Sequence, residues 1–177
     1  RAARHIAWGK FANTGQTCVA PDHVFVHRSV AEALTVALRQ QITRFYGADP
    51  AQSRDFGRII SDRHFARLSG LLQAATGAGA KVLAGGQIDA AQRYVAPTLI
   101  AETRADMAIS QQELFGPILP LIAFDDQNEV IARINSNLKP LALYIFDKSH
   151  KFVNEIIAQT ASGAVGVNLV VMHFLHP

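Results

Sequence analysis

The chain is predicted to fold as an α/β protein in three layers, with helices on both faces of a mostly parallel sheet. Short strand-like runs alternate with helical patterns of about ten to sixteen residues, the order typical of parallel α/β sheets. Several runs are apolar throughout, as in residues 118–124, which suits strands that are buried on both faces. With 177 residues, 49% of them hydrophobic, and no internal repeat, we expect one domain over residues 1–177.

The first half of the chain is predicted to contain three helices and four short strands. The first helix has its apolar residues on one face, with Lys10 elsewhere, and Gly15 breaks it. Ser29 is predicted to begin the second helix, because Glu32 follows it at the spacing of a capping box. In order, these elements are helix 1–13, strand 23–27, helix 29–46, helix 62–75 and strands 81–84, 94–95 and 98–100.

The second half of the chain alternates more regularly between strands and helices. Asp126 and Ser149 each precede a helical pattern and are predicted to cap it, since their side chains can accept hydrogen bonds from the first helical turn. The helix that begins at Ser149 runs through Thr160. The apolar runs at 118–124, 141–146 and 165–167 are the strands of this half.

The composition argues against several classes of protein. The net charge of +3 comes from 17 Lys and Arg against 14 Asp and Glu without a basic block, so nucleic acid is not an expected partner. No apolar run approaches the ~20 residues of a membrane-spanning helix. A single cysteine excludes an intramolecular disulfide framework and fits the reducing cytoplasm, which we expect as the location.

Neither a metal site nor a phosphate-binding loop is predicted. The seven histidines are scattered, and His173 and His176 lack the flanking glutamate of a helical zinc motif. The glycines at 77, 79, 85 and 86 do not open a helix after a strand, as a dinucleotide-binding loop requires. They fit a helix stop and a turn instead.

The only cysteine, Cys18, lies where a helical pattern gives way to a strand pattern. Small and hydrogen-bonding residues surround it in residues 13–21. A thiol at such a junction is a candidate nucleophile, because it ionises far more readily than a hydroxyl. The alternative is a free cysteine buried as a small hydrophobe, which is the commoner use of this residue.

Two further runs are candidates for a ligand site. Glu113 and Phe115 are two residues apart and are held by Gly116-Pro117 beside a strand end, where ligand sites of parallel sheets are usual. The alternative for Glu113 is a capping box with Ser110. Asn168 follows an apolar strand, where an ordinary turn asparagine is the alternative.

The three elements occur in the order and approximate spacing of the catalytic domain of the aldehyde dehydrogenases, which the chain resembles over essentially its whole length. The resemblance is most specific around Cys18. It extends to the class 3 branch, which includes fatty-aldehyde, aromatic-aldehyde and bacterial coniferyl aldehyde dehydrogenases. The stretches that carry it are Trp8-Gly9-Lys10-Phe11, Gly15-Gln16-Thr17-Cys18-Val19-Ala20-Pro21-Asp22, Phe45-Tyr46-Gly47, Arg58-Ile59-Ile60, Arg63-His64-Phe65, Arg93-Tyr94-Val95-Ala96-Pro97-Thr98, Glu113-Leu114-Phe115-Gly116-Pro117-Ile118-Leu119-Pro120, Lys139-Pro140-Leu141-Ala142-Leu143-Tyr144 and Met172-His173-Phe174.

The resemblance implies a role for each candidate residue. Cys18 corresponds to the nucleophile that attacks the aldehyde, and its backbone N–H to part of the oxyanion hole. Glu113 and Phe115 correspond to residues that hold the ribose and the nicotinamide ring of NAD or NADP, and Asn168 to a residue near the substrate channel. The implied reaction oxidises a hydrophobic aliphatic or aromatic aldehyde, including the coniferyl type, to the acid through a cysteine thioester. The implied assembly is a homodimer.

We expect the chain to be part of a longer protein, because it starts at Arg1 inside a helical pattern and stops at Pro177 directly after an apolar run. The resemblance places the dinucleotide-binding domain, the general base and the C-terminal tail outside these residues, so the isolated fragment is expected to be inactive. Two alternatives stay open. One is an acylating relative that passes the acyl group to coenzyme A or phosphate, and the other is a non-catalytic interaction module with a buried cysteine.

Overall fold

The computed structural model describes residues 1–171, and its elements follow the predicted alternation of strands and helices. The helices are α1 (Ala2–Phe11), α2 (Arg28–Tyr46), α3 (Asp62–Gly77), α4 (Gln127–Asn135) and α5 (His150–Gln159). The strands are β1 (Val24–His27), β2 (Lys81–Ala84), β3 (Ile88–Asp89), β4 (Tyr94–Val95), β5 (Thr98–Ala101), β6 (Ile118–Phe124), β7 (Ala142–Ile145) and β8 (Ala164–Val167). The Met172-His173-Phe174 stretch lies outside the described residues.

A four-stranded sheet in the order β1-β6-β5-β2 organises the fold. Strand β6 pairs in parallel with β1 on one side and with β5 on the other. Strand β2 pairs with β5 in the antiparallel direction and forms one edge. The prediction of a mostly parallel sheet is confirmed, and the antiparallel edge is an addition to it.

Helices cover both faces of this sheet because neighbouring residues of a strand point to opposite sides. Leu99 and Leu119 pack with residues of α1 and α2 in one core cluster. Ile100, which follows Leu99, and Ile118, which precedes Leu119, pack with residues of α3 in a second cluster. All four side chains are fully buried. The predicted three-layer α/β/α arrangement is therefore confirmed.

The pairs β3–β4 and β7–β8 form separate two-stranded sheets. Strands β7 and β8 are parallel, with Tyr144 opposite Gly166. A third core cluster packs β7 against α4 and α5. The sequence did not predict β3, because Ile88-Asp89 contains an aspartate, which is rare in strands, whereas Tyr94-Val95 of β4 consists of an aromatic and a β-branched residue.

Several helix ends differ from the prediction, by up to two residues. Helix α1 ends at Phe11 rather than at residue 13. Helix α2 begins at Arg28, and its N-cap is His27, whose Nδ1 accepts a hydrogen bond from the backbone N–H of Ser29 at 3.3 Å. The predicted capping box between Ser29 and Glu32 is wrong, because the ring of His27, two residues before Ser29, takes the place of the capping hydroxyl.

Two other predicted caps are confirmed. The carboxylate of Asp126 accepts a hydrogen bond from the backbone N–H of Asn128 at 2.9 Å. The hydroxyl of Ser149 accepts one from the backbone N–H of Phe152 at 3.2 Å. Within residues 1–171, no helix combines the length and the hydropathy that crossing a bilayer requires.

Candidate active site

The loop between α1 and β1 follows an unusual backbone path. Helix α1 ends where the backbone becomes extended at Ala12. The next three residues, Asn13, Thr14 and Gly15, adopt left-handed φ angles of 50°, 57° and 72°. The side-chain amide of Asn13 donates to the carbonyl of Gln16 at 2.9 Å and closes this loop. The chain thus reverses sharply just before the cysteine.

Cys18 is exposed on the turn that follows. The backbone N–H of Ala20 donates to the carbonyl of Thr17 at 3.0 Å, so the turn closes around the cysteine. Val19, the next residue, is buried and anchors the turn. The exposed thiol contradicts the alternative in which the cysteine is a buried, inert hydrophobe.

Gln16 fastens this loop to the segment that precedes α3. Its Nε2 donates to the carbonyl of Arg58 at 3.1 Å. Its Oε1 accepts from the backbone N–H of Ile60 at 3.0 Å. Because both ends of the amide are engaged, the loop cannot move without breaking two hydrogen bonds.

The second predicted element, residues 113–117, leads directly into β6. Glu113 is exposed, Leu114 is fully buried and Phe115 is half-buried. Phe115 has a left-handed φ of 48°. A side chain at Gly116 would collide with Leu68, whose Cδ1 lies 2.5 Å from the position of such a Cβ. The buried Leu114 therefore anchors a segment that leaves a carboxylate and part of a phenyl ring accessible.

The structure brings the cysteine loop and residues 113–117 into direct contact. Gly15 packs against the carbonyl group of Gly116 so closely that a Cβ at position 15 would overlap its oxygen. The carboxylate of Asp22 accepts a hydrogen bond from the backbone N–H of Leu114 at 2.8 Å. These two contacts lie on either side of Cys18 in the sequence. The positions of the thiol and of residues 113–115 are therefore fixed relative to each other.

Helix α3 holds the same segment through its carbonyl groups. The guanidinium of Arg67 donates to the carbonyl of Glu113 at 3.1 Å and to that of Leu114 at 2.5 Å. Its Nε also donates to Nδ1 of His64 at 3.4 Å, which places the ring proton on Nε2. From there His64 donates to the carbonyl of Phe115 at 2.7 Å. Two residues of α3 thus hold the backbone of residues 113–115, in addition to Asp22.

Lys10 supplies a buried positive charge beside this contact. It is only 1% exposed, so the prediction that it lies off the buried face of α1 is wrong. Burial lowers the pKa of Lys10 to about 8, while the charges of Asp22 and Glu113 act in the opposite direction. Burial would raise the pKa of Asp22, but its hydrogen bonds and the charge of Lys10 outweigh that effect and lower it. Asp22 is therefore ionised at neutral pH.

Comparison with known proteins identifies the family of the chain. The sequence model of the aldehyde dehydrogenase family matches residues 1–174. The chain belongs to this family. The dimeric NADP-preferring aldehyde dehydrogenase of Rattus norvegicus is 43% identical to it over 176 residues, and aldehyde dehydrogenase family 3 member A2 of Mus musculus is 42% identical over 173 residues. The structure of the substrate-bound state of Staphylococcus aureus AldH superposes with a TM-score of 0.95 at 40% identity, covering 99% of the chain.

These relatives confirm the resemblance to the class 3 aldehyde dehydrogenases. The match to the rat enzyme covers 99% of this chain but only 38% of the length of that enzyme. It spans 35% of the mouse enzyme and 38% of the Staphylococcus aureus chain. The match therefore corresponds to a little over one third of the length of these aldehyde dehydrogenases.

Asn168, the remaining predicted site residue, makes hydrogen bonds that hold two strand ends together. It has a left-handed φ of 57° at the end of β8. Its Nδ2 donates to the carbonyl of Asp147 at 2.9 Å, and its backbone N–H to that of Ile145 at 2.8 Å. The amide thus joins the ends of β7 and β8. A place near the substrate channel of the aldehyde dehydrogenase stays a prediction for this residue.

Sequence reasoning assigned no role to three of the residues that fix the site. Asp22, His64 and Arg67 reach residues 113–115 only through contacts between distant parts of the chain. The one sequence signal that could have pointed to them is that Asp22 and His64 lie in stretches shared with the aldehyde dehydrogenases. In the described range, 1–171, no group of three or more His, Cys, Asp or Glu side chains is placed to hold a metal ion, and His173 and His176 fall outside that range.

Proposed function

We propose that the chain carries the nucleophile of an NAD(P)-dependent aldehyde dehydrogenase that oxidises hydrophobic aliphatic or aromatic aldehydes to carboxylic acids. The observation that carries this proposal is the exposed Cys18 on a turn fixed against the segment of Glu113 and Phe115. A nucleophile and its reaction partner must be held in register for the reaction to be fast. The hydrogen-bonded contact between the two segments supplies that register.

The chemistry proposed for Cys18 is covalent catalysis. The thiolate adds to the aldehyde carbon and forms a tetrahedral adduct, from which hydride leaves as the carbon–sulfur bond is retained. The backbone N–H of Cys18 is suited to donate to the oxygen on which negative charge develops. The resulting thioester is then hydrolysed to the acid, which frees the thiol. A bound nicotinamide supplies the acceptor for the hydride.

Residues 113–115 fit the ribose and nicotinamide of such a cofactor. The exposed carboxylate of Glu113 is an acceptor for hydroxyl donors such as those of a ribose. The half-buried ring of Phe115 is kept in place by an edge contact with His64, with ring centroids 6.1 Å apart. The backbone between them is hydrogen-bonded to Asp22 and Arg67. The pair is thus held rigidly enough to orient a planar ring.

Support for the finer points comes from the names of the relatives. The rat relative is described as dimeric and NADP-preferring, so we propose a homodimer that uses NADP or NAD. Coniferyl aldehyde and hexanal are the proposed aromatic and aliphatic test substrates. The cytoplasm is the proposed location, since a catalytic thiol must stay reduced.

The test compares the full-length protein with its Cys18→Ala variant. With hexanal or coniferyl aldehyde and NAD or NADP, the wild type is expected to produce the reduced nicotinamide and the acid. The variant is expected to lose about a thousand-fold or more in kcat, because the covalent step is abolished. Residues 1–177 alone are expected to show no turnover.

Three results would count against parts of this proposal. Full activity in the Cys18→Ala variant would exclude the cysteine as nucleophile. Normal turnover by residues 1–177 alone would refute the inactivity of the fragment. Formation of an acyl-coenzyme A or acyl phosphate instead of the free acid would assign the protein to the acylating relatives.

A further inference from the structure

One long-range hydrogen bond reaches the cysteine turn from the opposite end of the chain. The hydroxyl of Tyr144 on β7 donates to the carbonyl of Val19 at 2.8 Å. Val19 directly follows Cys18 and is buried. The bond therefore fixes the peptide on the C-terminal side of the nucleophile. The preceding contacts of Gly15 and Gln16 fix the N-terminal side.

The ring of Tyr144 is itself held in a narrow space. Tyr144 pairs with Gly166 across the parallel strands β7 and β8. A Cβ at position 166 would lie 2.8 Å from Cδ1 of the tyrosine ring, closer than real side chains approach. The glycine thus lets the ring lie against β8 and directs its hydroxyl towards the cysteine turn. Replacement of the tyrosine by phenylalanine keeps this ring and removes only the hydroxyl group.

The tyrosine hydroxyl also lies within electrostatic reach of the thiol. Burial raises the pKa of Tyr144, and the charge of Cys18 raises it further, against the effect of a hydrogen bond from the backbone of Val171. The phenol is therefore neutral at physiological pH and stays a hydrogen-bond donor when the cysteine ionises. This keeps the contact with the Val19 carbonyl intact through the reaction.

We propose that Tyr144 is a positioning residue that holds the Thr17–Ala20 turn so that Cys18 faces the aldehyde. The inference rests on the proposed function of Cys18. The hydroxyl acts through the Val19 carbonyl and touches neither substrate nor cofactor. Without it the turn loses its hydrogen bond to β7 and keeps its own hydrogen bond between Ala20 and Thr17 and the burial of Val19, so the thiol samples additional orientations.

The experiment compares Tyr144→Phe with Tyr46→Phe in the full-length protein. Tyr46 is buried in the core cluster of α1 and α2, so its variant controls for the same loss of a hydroxyl elsewhere. For Tyr144→Phe we expect kcat to fall roughly three- to ten-fold, the effect of one lost hydrogen bond, with the KM for the nicotinamide cofactor unchanged. The rate of alkylation of Cys18 by iodoacetamide should stay within about two-fold of the wild-type rate, because a small reagent does not need an oriented thiol. The pH midpoint of this reaction should not change.

A second measurement does not depend on enzyme activity. Hydrogen exchange at the Ala20 amide should become faster in Tyr144→Phe than in the wild type and in Tyr46→Phe, because the turn loses one of its restraints. Unchanged exchange, or an unchanged kcat, would overturn the proposal. A parallel fall in kcat and in alkylation would also overturn it, since Tyr144 would then activate the thiol rather than orient it. If the wild type oxidised no aldehyde, the proposed function would fail, and the exchange result would still decide whether Tyr144 holds the turn.

Discussion

The carboxylate of Asp22 accepts a hydrogen bond from the backbone N–H of Leu114, across 92 residues of sequence and a distance of 2.8 Å. Asp22 lies four residues after the cysteine, and Leu114 lies between Glu113 and Phe115. One hydrogen bond thus joins the loop of the proposed nucleophile to the segment of the proposed cofactor contacts. The predictions below test this connection and the groups around it.

Replacing Asp22 by alanine should weaken both stability and cofactor binding. The fully buried Leu114 would keep an N–H without its partner, which costs about 1–3 kcal/mol in the free energy of unfolding. In the full-length enzyme, the KM for NAD(P) should rise more than the KM for the aldehyde. Asp22→Asn, which keeps an acceptor oxygen, serves as the control and should be affected less. Equal KM values in Asp22→Ala and wild type would contradict the connection.

Replacing Gly15 by alanine should destabilise the contact between the two segments. Gly15 has a φ of 72°, and a Cβ there would overlap the carbonyl oxygen of Gly116. We expect a loss of roughly 3 kcal/mol or more in the free energy of unfolding, since the conformational cost of about 1–2 kcal/mol is added to a backbone collision. Gly79→Ala is the matched control, because Gly79 also has a positive φ, of 99°, but nothing lies within 4 Å of its Cβ position. Chemical denaturation of both variants measures the difference, and equal losses would show that the contact is not tight.

Replacing Lys10 by methionine should change how stability depends on pH. Burial lowers the pKa of Lys10 from 10.5 to about 8, so the folded chain releases this proton at a lower pH than the unfolded chain. Between these two values the unfolded state holds more protons, and wild-type stability therefore rises with pH relative to the variant. Below pH 8 the cost of burying the charge is constant.

The size of this effect follows from the two pKa values. The stability of the wild type relative to Lys10→Met should increase by about 3 kcal/mol between neutral pH and pH 10.5, at 1.36 kcal/mol per pKa unit. Denaturation curves of both proteins across this range give the difference directly. Lys148→Met, at an exposed position, is the control. A gap between wild type and Lys10→Met that does not vary with pH would show that Lys10 is not desolvated.

Replacing Arg67 by lysine should loosen the segment of Glu113 from α3. The planar guanidinium reaches two neighbouring carbonyls and the ring of His64, which a single ammonium group cannot do. We expect the KM for NAD(P) to rise several-fold, with alkylation of Cys18 unaffected. Arg63→Lys, on the exposed side of the same helix, should behave as wild type. If the two variants had the same KM, the contacts of Arg67 would not position the cofactor.

Most helices and strands were predictable because their signals are local. Asp126 and Ser149 cap helices where the sequence placed them, and the apolar run 118–124 is the central strand β6. The order of strands in the sheet and the separate β7–β8 pair were not predictable, because a periodic pattern does not specify the partner of a strand. The cap of α2 was missed because histidine is not among the usual capping residues.

The site was predictable in its central residues but not in its supports. Cys18, Glu113 and Phe115 were found by their resemblance to a known family, and the structure places their segments in contact. Lys10 was misplaced because a charged side chain is expected to face water, whereas here two carboxylates make its burial tolerable. Tyr144 lies in an apolar strand pattern that gives no sign of a hydrogen bond to a distant turn.

Three residues without the freedom of glycine adopt left-handed φ angles around the cysteine: Asn13, Thr14 and Phe115. Each such conformation costs about 1–2 kcal/mol in a non-glycine residue. Backbone strain is therefore stored on both sides of the contact between the cysteine loop and residues 113–115. Substitutions that remove this strain are expected to raise the melting temperature and to lower the rate of the reaction.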